Sequence, residues 1–383
     1  MKNIYYGKQF INNSDLISVK KSLLEDKITT GNFVDKFENG LKKYLDNKYI
    51  KVCNSGTTAL HLAYIAAGLN KKSTIIMPSV NFISAYRIAK LIGMKVFLAD
   101  VDQNTGQMKP DDVISIIKNR KLKKIDAILN MYLGGFPENI KDFYYLKKKY
   151  NSILIEDACH AFGSSYKINK KVYKIGSCKH SDISIFSFHP LKTITTGEGG
   201  AISLKDKKRY DKINNYISHG ILRKRDYWNY NIKHFGMNYR LSDINCALGV
   251  TQLKKISYIL SYRKKIYFKY KKLLKKFSNF ISLNNYSLDT KPSYHLMIVH
   301  FKMKNLKCKK NKIFEFFRKN KIFLQQHYIP IYKFDCIKTS PHLNSEKYIS
   351  SSISLPIHVN LTTKDISRVI LTIKNFIKKY GVK

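Results

Sequence analysis

Three segments of the sequence combine residue types that can carry chemistry. The first, Asn54–Leu60, reads N-S-G-T-T-A-L and is a small, hydroxyl-rich turn ahead of a helical pattern. Free backbone N–H groups, hydroxyls and the helix dipole make such a turn suitable for binding phosphate. Serine and threonine are also preferred residues for capping a helix, and taken alone the turn favours a cap over an anion site.

The second segment, Ile155–Gly163, reads I-E-D-A-C-H-A-F-G and places two acids at the end of a predicted strand. An acid in this position can serve a metal, a ribose or a protonated ring nitrogen. The structural alternative is an aspartate that caps the following turn. The segment alone does not decide between these interpretations.

The third segment, Phe186–Gly200, contains Lys192 in a loop rich in Ser, Thr and Gly after an apolar strand. In a chain with this many lysines, an ordinary surface position is a serious alternative. An amine that forms a Schiff base needs a desolvated or cationic setting, a nearby phosphate site and an acid that can protonate a pyridine ring. The three segments supply these requirements in order, which favours a Schiff-base lysine at Lys192.

The elements that must position these segments alternate between strands and helices. Apolar runs predict strands at Ile75–Pro78, Val96–Ala99, Ala127–Met131, Ile153–Glu156, Ile183–Ser187 and Ala201–Leu204. Helical spacing predicts helices at Thr58–Ala67, Ser84–Ile92, Pro110–Lys118 and Ile140–Tyr150. Such alternation is typical of a largely parallel sheet that is covered on both faces and binds its ligand at the carboxyl ends of its strands.

The remaining helical patterns lie before and after this region. Asp15–Tyr44 predicts two amphipathic helices that flank Ile28–Gly31, and Leu241–Leu274 predicts one long helix, straight or kinked. A smaller α+β region follows to the C-terminus. We expect a large domain over residues 1–255 and a small C-terminal domain over 256–383.

The six cysteines are scattered without a C-x-x-C pair, which argues against a disulfide framework and against a zinc site. The first ten residues have no apolar core of a secretory signal, and no apolar run is long enough to span a bilayer. The sequence therefore predicts a soluble cytoplasmic protein that holds no metal.

The formal net charge of +44 suggests nucleic-acid binding at first sight. However, only nine of the 70 basic residues are arginines, and the lysines are spread along the chain among many Ile, Asn and Tyr residues. Nucleic-acid readers use arginine for bidentate contacts and concentrate their charge on one face. We therefore attribute the charge to composition, although a basic surface still favours an anionic substrate.

Taken together, the motifs resemble those of the DegT/DnrJ/StrS family of sugar aminotransferases over nearly the whole chain, from Tyr6 to beyond Asn360. The matching patterns are S-G-T-x-A-L, E-D-A-x-H-A-x-G, S-F-H-x-x-K-x-I-T-T-G-E-G-G and G-x-N-Y-R. The resemblance implies a homodimer of the aspartate aminotransferase-like fold type I, with pyridoxal 5′-phosphate (PLP) as cofactor. It also implies a mostly parallel, seven-stranded sheet in the large domain.

The resemblance also implies roles for residues at matching positions. Lys192 would carry PLP, Asp157 would pair with the pyridinium nitrogen, and His160 would lie near the phenolic oxygen of the cofactor. Phe82 would stack on the ring. The phosphate would be held by Gly56, Thr57, Thr58 and Ser187, and by Asn238 from the second subunit. Met131 departs from the family pattern, which often has His or Asp there, and this departure concerns the donor or sugar pocket rather than the cofactor.

The reaction implied by the resemblance is transamination at C-4 of a UDP-4-keto sugar with L-glutamate as donor. Three segments resemble the subgroup of 4-aminotransferases in pseudaminic acid biosynthesis: Ser218–Lys224, Gln326–Tyr332 and Ser354–Asn360. The sugar nucleotide would be bound by Tyr6, by the loop of Ile28, Thr29, Thr30 and Gly31, and by the stretch of His327, Tyr328, Ile329 and Pro330. A structural turn is the alternative for that last stretch.

Several other functions compete with this interpretation. Enzymes that accept a UDP-D-configured or a GDP-linked 4-keto sugar are the nearest, and no residue excludes them. A dehydratase branch of the family has a histidine in place of the Schiff-base lysine, so Lys192 argues against it. A regulatory protein would not need Lys192, Asp157 and Ser187 together. A nucleic-acid-binding protein lacks support because no helix-turn-helix, zinc or single-strand motif is evident, and we expect no specific nucleic-acid or membrane partner.

Overall fold

Seven strands form the central sheet of the protein in a computed structural model, which describes residues 2–223, 226, 228–337 and 339–382. The strands of the described residues are, in chain order, β1 Ile4–Tyr5, β2 Ile50–Cys53, β3 Thr74–Pro78, β4 Lys95–Ala99, β5 Ala127–Met131, β6 Ile153–Asp157, β7 Ser165–Ile168, β8 Lys171–Lys174, β9 Ile183–Ser187, β10 Gly200–Leu204, β11 Ile221–Arg223, β12 Tyr230–Ile232, β13 Ile281–Leu283, β14 Thr290–Lys291, β15 Met297–Phe301, β16 Ile322–Phe323 and β17 Ser352–Leu355.

The α-helices of the same residues are α1 Asn13–Leu23, α2 Asn32–Leu45, α3 Gly56–Ala66, α4 Ser84–Leu91, α5 Pro110–Asn119, α6 Ile140–Lys149, α7 Lys207–Tyr216, α8 Asp243–Lys254, α9 Ile256–Leu274, α10 Asn311–Lys319, α11 Leu343–Ser351 and α12 Thr363–Tyr380. The six predicted strands and the four predicted helices between residues 58 and 204 are all present, with ends that move by no more than two residues.

The central sheet has the order β2-β10-β9-β6-β5-β3-β4. Strands β9, β6, β5, β3 and β4 are parallel, and β10 runs antiparallel to both of its neighbours. The predicted mostly parallel, seven-stranded sheet is thus confirmed. The edge strand β2 is not among the predicted strands; it has only four residues, Ile50–Cys53, and leads directly into the hydroxyl-rich turn.

Both faces of the sheet are buried, as expected for parallel strands. Consecutive residues of one strand enter different apolar clusters: Ile75 packs with α3 and α4, whereas Ile76 packs with α5 and α6. On the side of β2 and β10, α2 and α8 cover the sheet through a cluster that includes Phe37 and Ala247. Because successive side chains of a strand point to opposite faces, the sheet packs against helices on both sides.

The predicted long helix from Leu241 to Leu274 is interrupted, and α8 and α9 meet at Lys255, which has φ −93° and ψ 0°. The amine of Lys255 contacts the buried carboxylate of Asp15 on α1. Thr251 and Gln252 of α8 donate to the same carboxylate, at 2.5 and 3.1 Å. This set of contacts anchors α1 at the junction between α8 and α9.

The C-terminal part of the chain builds a second core. A three-stranded antiparallel sheet, β13-β15-β17, packs with α9, α10 and α12 around residues such as Phe301, Phe317 and Phe376. Strand β1 from the N-terminus pairs with β16, so the start of the chain crosses to this region. No helix in the described part of the chain is both long and apolar enough to span a membrane.

Candidate active site

The carboxyl ends of β6 and β9 border a cavity of about 480 Å³. Loops from the central sheet form one side of it, and residues after β16 and before β15 form the other. The lining residues are Tyr6, Ser55, Gly56, Thr57, Leu60, Asn81, Phe82, Ser84, Met131, Asp157, Cys159, His160, Ser187, His189, Leu191, Lys192, Glu198, His295, Gln325, Gln326, His327 and Tyr328. The three segments that the sequence singled out therefore meet at one site.

The hydroxyl-rich turn is both a helix cap and a wall of this cavity. Ser55 caps α3 by accepting a hydrogen bond from the Thr58 N–H at 3.1 Å. The Thr58 hydroxyl donates back to Asn54 Oδ1 at 2.8 Å, so it is used inside the turn and does not line the cavity. A Cβ on Gly56 would lie 2.9 Å from the Ser187 Cβ, so only glycine allows the start of α3 to approach Ser187 this closely.

The two acids at the end of β6 point in opposite directions, because side chains alternate along a strand. Glu156 lies in the core, where Tyr132 donates to it at 2.8 Å and Ser184 also donates to it. Asp157 is buried at the cavity wall and accepts a hydrogen bond from the Cys159 N–H at 3.2 Å. Burial raises the pKa of Asp157, although the positive charge of Lys192 acts in the other direction.

Lys192 follows β9 in a turn in which its N–H donates to the His189 carbonyl at 2.9 Å. Its side chain is half-buried at the cavity, and desolvation lowers the pKa of its amine despite the nearby Cys159 and Asp157. It forms no ion pair with any described carboxylate. The amine therefore has the desolvated setting that a nucleophilic lysine requires.

His160 is buried beside Lys192, and both of its ring nitrogens are hydrogen-bonded to protein groups. The Gly134 N–H points to Nδ1 at 3.3 Å, and Nε2 lies 2.9 Å from the Tyr328 hydroxyl. Burial and the charge of Lys192 hold the pKa of His160 well below its ordinary range. A neutral His160 would therefore meet a cofactor through ring carbons and not through a free nitrogen.

The structure brings most, but not all, of the sequence-predicted residues to the cavity. Its lining includes Tyr6, Gly56, Thr57, Phe82, Asp157, His160, Ser187, Lys192, His327 and Tyr328. The lining does not include Thr58, Ile329 or Pro330. It also lacks Asn238 and the loop of Ile28, Thr29, Thr30 and Gly31.

The residues outside the cavity have other contacts. The loop Ile28–Gly31 lies against the start of α8, where the Asp243 carboxylate accepts hydrogen bonds from the N–H groups of Gly31 and Phe33 at 2.5 and 2.7 Å. Asn238 is exposed, and its carbonyl accepts a hydrogen bond from the Asn54 side chain at 3.0 Å. Of the segment Ser218–Lys224, the last residue, Lys224, lies outside the described residues.

Several lining residues were not predicted from the sequence. His295 precedes β15, and Gln325 and Gln326 follow β16, so all three come from the C-terminal part of the chain. His295 and Gln325 belong to none of the quoted motifs, whereas Gln326 begins the segment Gln326–Tyr332, in which only His327 to Pro330 were assigned to the substrate. His189 and Glu198 lie inside the lysine motif and could have been selected there, since both are polar residues that flank Lys192.

Comparison with known proteins identifies the chain. The model of the DegT/DnrJ/EryC1/StrS aminotransferase family matches residues 9–374. A UDP-4-amino-4,6-dideoxy-N-acetyl-beta-L-altrosamine transaminase from Campylobacter jejuni is 36 % identical over 384 residues, with 98 % of each chain covered. A GDP-perosamine synthase from Escherichia coli O157:H7 is 36 % identical over 242 residues, 63 % of each chain.

Among solved structures, Helicobacter pylori PseC, described as an aminotransferase involved in the biosynthesis of pseudoaminic acid, has a TM-score of 0.89 and 27 % identity. The match covers 99 % of this chain and 100 % of that one. The predicted fold type I is thereby confirmed. Since the family match spans most of the chain and agrees with the geometry of the cavity, the protein belongs to the DegT/DnrJ/EryC1/StrS aminotransferase family and is a PLP-dependent sugar aminotransferase.

Proposed function

We propose that the protein transfers an amino group to C-4 of a UDP-4-keto-6-deoxy-N-acetylhexosamine, UDP-2-acetamido-2,6-dideoxy-β-L-arabino-hex-4-ulose, with L-glutamate as donor. The product would be UDP-4-amino-4,6-dideoxy-N-acetyl-β-L-altrosamine, for pseudaminic acid biosynthesis. The observation that carries this proposal is the similarity to the Campylobacter jejuni transaminase of that name over 98 % of both chains. The GDP-perosamine synthase matches over a smaller part of the chain, so a GDP-4-keto sugar is the second candidate.

The residues of the cavity fit PLP. Gly56 lets the N-terminus of α3 approach Ser187, which leaves a cradle for a phosphate that a Cβ would fill. At the other end of the site, Asp157 is buried close enough to Lys192 for their charges to interact. Under this proposal Gly56, Thr57 and Ser187 hold the phosphate, Asp157 faces the pyridine nitrogen, and Lys192 carries the cofactor.

Three further predicted residues have environments that bear on their roles. The ring of Phe82 is 54 % exposed at the cavity, so it is available to stack on a flat ligand. Thr58 would support the phosphate site through its cap hydrogen bonds and not by direct contact. His160 would contact the cofactor with its ring, because its nitrogens are occupied.

PLP, when bound, supplies an electron sink for the carbon that loses or gains a proton. The side chains of the protein transfer the proton and position the cofactor and the substrate. Lys192 takes the proton at Nζ and returns it, and the lowered pKa of its amine increases the fraction that is unprotonated and able to act as a base. Asp157 would face the cofactor nitrogen and favour its protonated form. Tyr6, His327 and Tyr328 line the part of the cavity where we place the sugar.

We also propose a homodimer with shared active sites. Asn238 and the loop Ile28–Gly31 do not line the cavity of their own chain but are largely exposed, so they are free to reach a second subunit. Large apolar side chains are exposed near them: Ile28 is 47 % and Met237 56 % exposed, and Leu16 and Ile17 of α1 exceed 60 %. A second copy of the chain would cover this apolar surface.

Substrate preference tests the proposed function directly. The purified enzyme, supplied with L-glutamate, should show a higher kcat/KM for the UDP-L-arabino-hex-4-ulose than for a UDP-D-configured or a GDP-linked 4-keto sugar. A preference for either competitor would reject the substrate and leave the aminotransferase assignment intact.

The role of Lys192 has a separate test. Borohydride reduction of the loaded protein, followed by peptide mapping, should leave the cofactor on Lys192. The Lys192→Ala variant should bind PLP without a covalent bond, lack the absorbance band near roughly 410–430 nm and lose almost all activity. A label on a different lysine would contradict the assignment.

A further inference from the structure

The hydrogen bonds of His160 determine which of its ring nitrogens carries the proton. The Gly134 N–H can only donate, so Nδ1 of His160, 3.3 Å away, must be unprotonated. Burial and the charge of Lys192 keep the pKa of His160 low, so the ring is neutral and carries its proton on Nε2. That proton is donated to the Tyr328 oxygen at 2.9 Å. The hydroxyl proton of Tyr328 is therefore free to be donated elsewhere.

His295 supplies a second hydrogen-bond donor to the cavity, beside His160. Its ring lies 4.3 Å from the His160 ring, centroid to centroid, and it lines the same cavity. Its Nδ1 is fully buried and has no hydrogen-bond partner among the described residues, which leaves Nε2 as the ring nitrogen in contact with the cavity. A buried N–H without an acceptor is rarer and costlier than a bare ring nitrogen, so the neutral ring carries its proton on Nε2.

The surroundings of His295 keep it neutral and in place. Burial, followed by the charges of Lys192 and Arg263 and by His327, holds the pKa of His295 well below its ordinary range. Arg263 is itself buried and donates from Nη1 to the carbonyls of His295 and Ile357 at 3.2 and 3.1 Å. This guanidinium joins α9 to the main chain at His295 and Ile357, so the backbone that carries the His295 ring is tied to this helix.

We propose that Tyr328 and His295 form a pair of uncharged hydrogen-bond donors that bind one negatively charged or strongly polarised oxygen of a substrate. The proposal rests on the proposed function and extends it to His295, which no sequence motif marks. Two substrates could supply such an oxygen: a carboxylate of the amino donor or of the keto acid formed from it, and the 4-keto group of the sugar. Lys192 is the one lysine or arginine among the described lining residues, so neutral donors must provide much of the remaining anion binding within this chain.

Binding of unreactive ligands to the PLP-loaded enzyme tests the pair. Neither 2-oxoglutarate nor the UDP-4-keto sugar has an amine to give to the PLP form, so calorimetry measures their binding without turnover. Tyr328→Phe and His295→Met should each weaken binding of at least one of them roughly 10-fold to 100-fold, as expected for loss of a hydrogen bond to a charged or polarised oxygen. The probe that is weakened identifies the source of the oxygen.

Two controls separate binding from folding. Tyr348→Phe removes a nearby buried hydroxyl, which donates to the His327 carbonyl at 2.7 Å and does not line the cavity, so both ligands should bind as in the wild type. His295→Gln keeps a side-chain N–H donor and should recover part of the binding that His295→Met loses. Unchanged binding of both probes in Tyr328→Phe and His295→Met would overturn the proposal.

A spectroscopic measurement tests the tautomers independently of any ligand. In protein labelled with ¹⁵N-histidine, the signals of His160 and His295, assigned with substitutions at each position, should both show neutral rings protonated on Nε2 between pH 6 and 8. A proton on Nδ1 of His295 would contradict the pair. If the wild type binds 2-oxoglutarate but not the UDP-4-keto sugar, the proposed substrate fails, and the donor pair is still tested by the keto acid.

Discussion

At the scale of single residues, the end of β6 shows how the strand period divides two adjacent acids between different tasks. Glu156 takes two hydroxyl donors inside the core. Asp157 reaches the cavity, where its donors are the Cys159 N–H at 3.2 Å and the Asn81 side-chain amide at 3.5 Å, with the amine of Lys192 nearby. A carboxylate that is buried with so few donors costs stability in the absence of a ligand. Such a cost is typical of a residue that acts on a bound group.

Asp157→Asn should therefore separate activity from stability. If Asp157 faces the cofactor nitrogen as we propose, loss of this buried charge costs about 3 kcal/mol, and kcat/KM should fall roughly 100-fold or more. A carboxyl with a raised pKa in the folded protein stabilises at low pH and loses that contribution as pH rises through the folded value. The amide does not titrate, so above about pH 5 the cofactor-free variant should have an equal or higher Tm than the wild type.

Asp100→Asn is the matched control for this prediction. Asp100 follows β4 outside the cavity and accepts hydrogen bonds from the Asn344 and Ser345 N–H groups at 3.0 and 2.8 Å. Its replacement should lower the Tm and leave kcat/KM of the folded enzyme nearly unchanged. If Asp157→Asn lowers the Tm as much as Asp100→Asn does and keeps its activity, Asp157 is structural.

Residues inside contiguous motifs could be predicted from the sequence, because each motif follows directly from the carboxyl end of its own strand. Lys192, Asp157 and Gly56 are of this kind, and the structure brings all three to the cavity. His295 could not be predicted, because it reaches the site through the packing of the C-terminal part of the chain and has no local pattern. Thr58 shows a third case, in which the motif is right but its hydroxyl serves the helix cap.

At the scale of elements, the contact between α2 and α8 depends on a missing side chain. Gly249 of α8 faces Phe37 of α2, and a Cβ on this glycine would lie 2.7 Å from the ring. Phe37 is fully buried, so its ring has no space to move away. The sequence could not reveal this approach, because a glycine inside a helix carries no sign of what packs against it.

Gly249→Ala should lower stability although alanine is the better helix former. Overpacking against a fixed ring costs about 1–3 kcal/mol, and the gain in helix propensity offsets about 1 kcal/mol of it. The net loss of up to about 2 kcal/mol should lower the Tm by up to roughly 2–3 °C in a chain of 383 residues, as measured by calorimetry. Gly40→Ala in α2 is the control, since its Cβ would meet only the flexible tip of Leu253 at 3.0 Å, and its Tm should stay level or rise. A Tm for Gly249→Ala at or above that of the wild type would exclude this tight contact.

The start of α10 contains a lysine in an unfavourable place. Lys310 immediately precedes the helix, where a positive charge opposes the helix dipole, and its amine contacts Gln326 Oε1 and the Ile349 carbonyl without any described carboxylate partner. Burial lowers the pKa of this amine from 10.5 to about 7. Between these two values the unfolded chain holds a proton that the folded protein lacks, so Lys310 adds stability as pH rises through this range.

Lys310→Met should remove this pH dependence. The Tm of the wild type minus that of the variant should grow from pH 7 to pH 10, because only the wild type gains from releasing the proton of Lys310 on folding. Lys309→Met, at the exposed neighbouring position, should give a difference that does not change with pH. A difference for Lys310→Met that is also constant over this range would show that the amine stays protonated in the folded protein.

The break between α8 and α9 lies at the domain boundary that we propose between residues 255 and 256. Ile256 and Ile259 of α9 belong to the apolar cluster of α2 and α8, whereas Ile266 and Tyr267 belong to the C-terminal core. Helix α9 is therefore shared by both cores. A sequence pattern of helical spacing continues through Lys255, so it cannot show that the helix is interrupted there or that the amine contacts Asp15.

At the scale of the whole molecule, the net charge of +44 acts on substrates from a distance. Since Lys192 alone among the described lining residues is a lysine or arginine, the excess charge lies outside the cavity. Exposed charges are screened beyond about 8 Å at physiological salt. Raising the salt should therefore increase the KM for the sugar nucleotide only modestly, by a factor of about two to five between 0.05 and 0.5 M.

Binding of duplex DNA tests whether the positive charge of the protein has a function of its own. Because the lysines form no motif for reading bases, DNA should bind with a Kd no tighter than about 10⁻⁶ M at physiological salt, and two unrelated sequences should bind equally. Fluorescence anisotropy with labelled duplexes measures both. Tight binding that depends on the DNA sequence would show that the basic surface has a function of its own.

The last prediction concerns the proposed dimer and its shared active sites. If the Asn238 of one subunit completes the site that contains Lys192 of the other, then Lys192→Ala and Asn238→Ala each inactivate every site of their own homodimers. In a mixed dimer, one site combines Lys192→Ala with Asn238→Ala, and the other site carries both native residues. Exchange of equal amounts of the two variants gives mixed dimers in half of the population, each with one intact site, so about one quarter of the wild-type activity should return.

The control for this exchange is a mixture of Lys192→Ala with Asp157→Ala. These two residues line the cavity of the same chain, so no arrangement of subunits restores an intact site, and activity should stay at background. Exchange is confirmed by mass spectrometry of subunits that carry different tags. If exchanged mixtures of Lys192→Ala and Asn238→Ala remain inactive, Asn238 acts within its own chain.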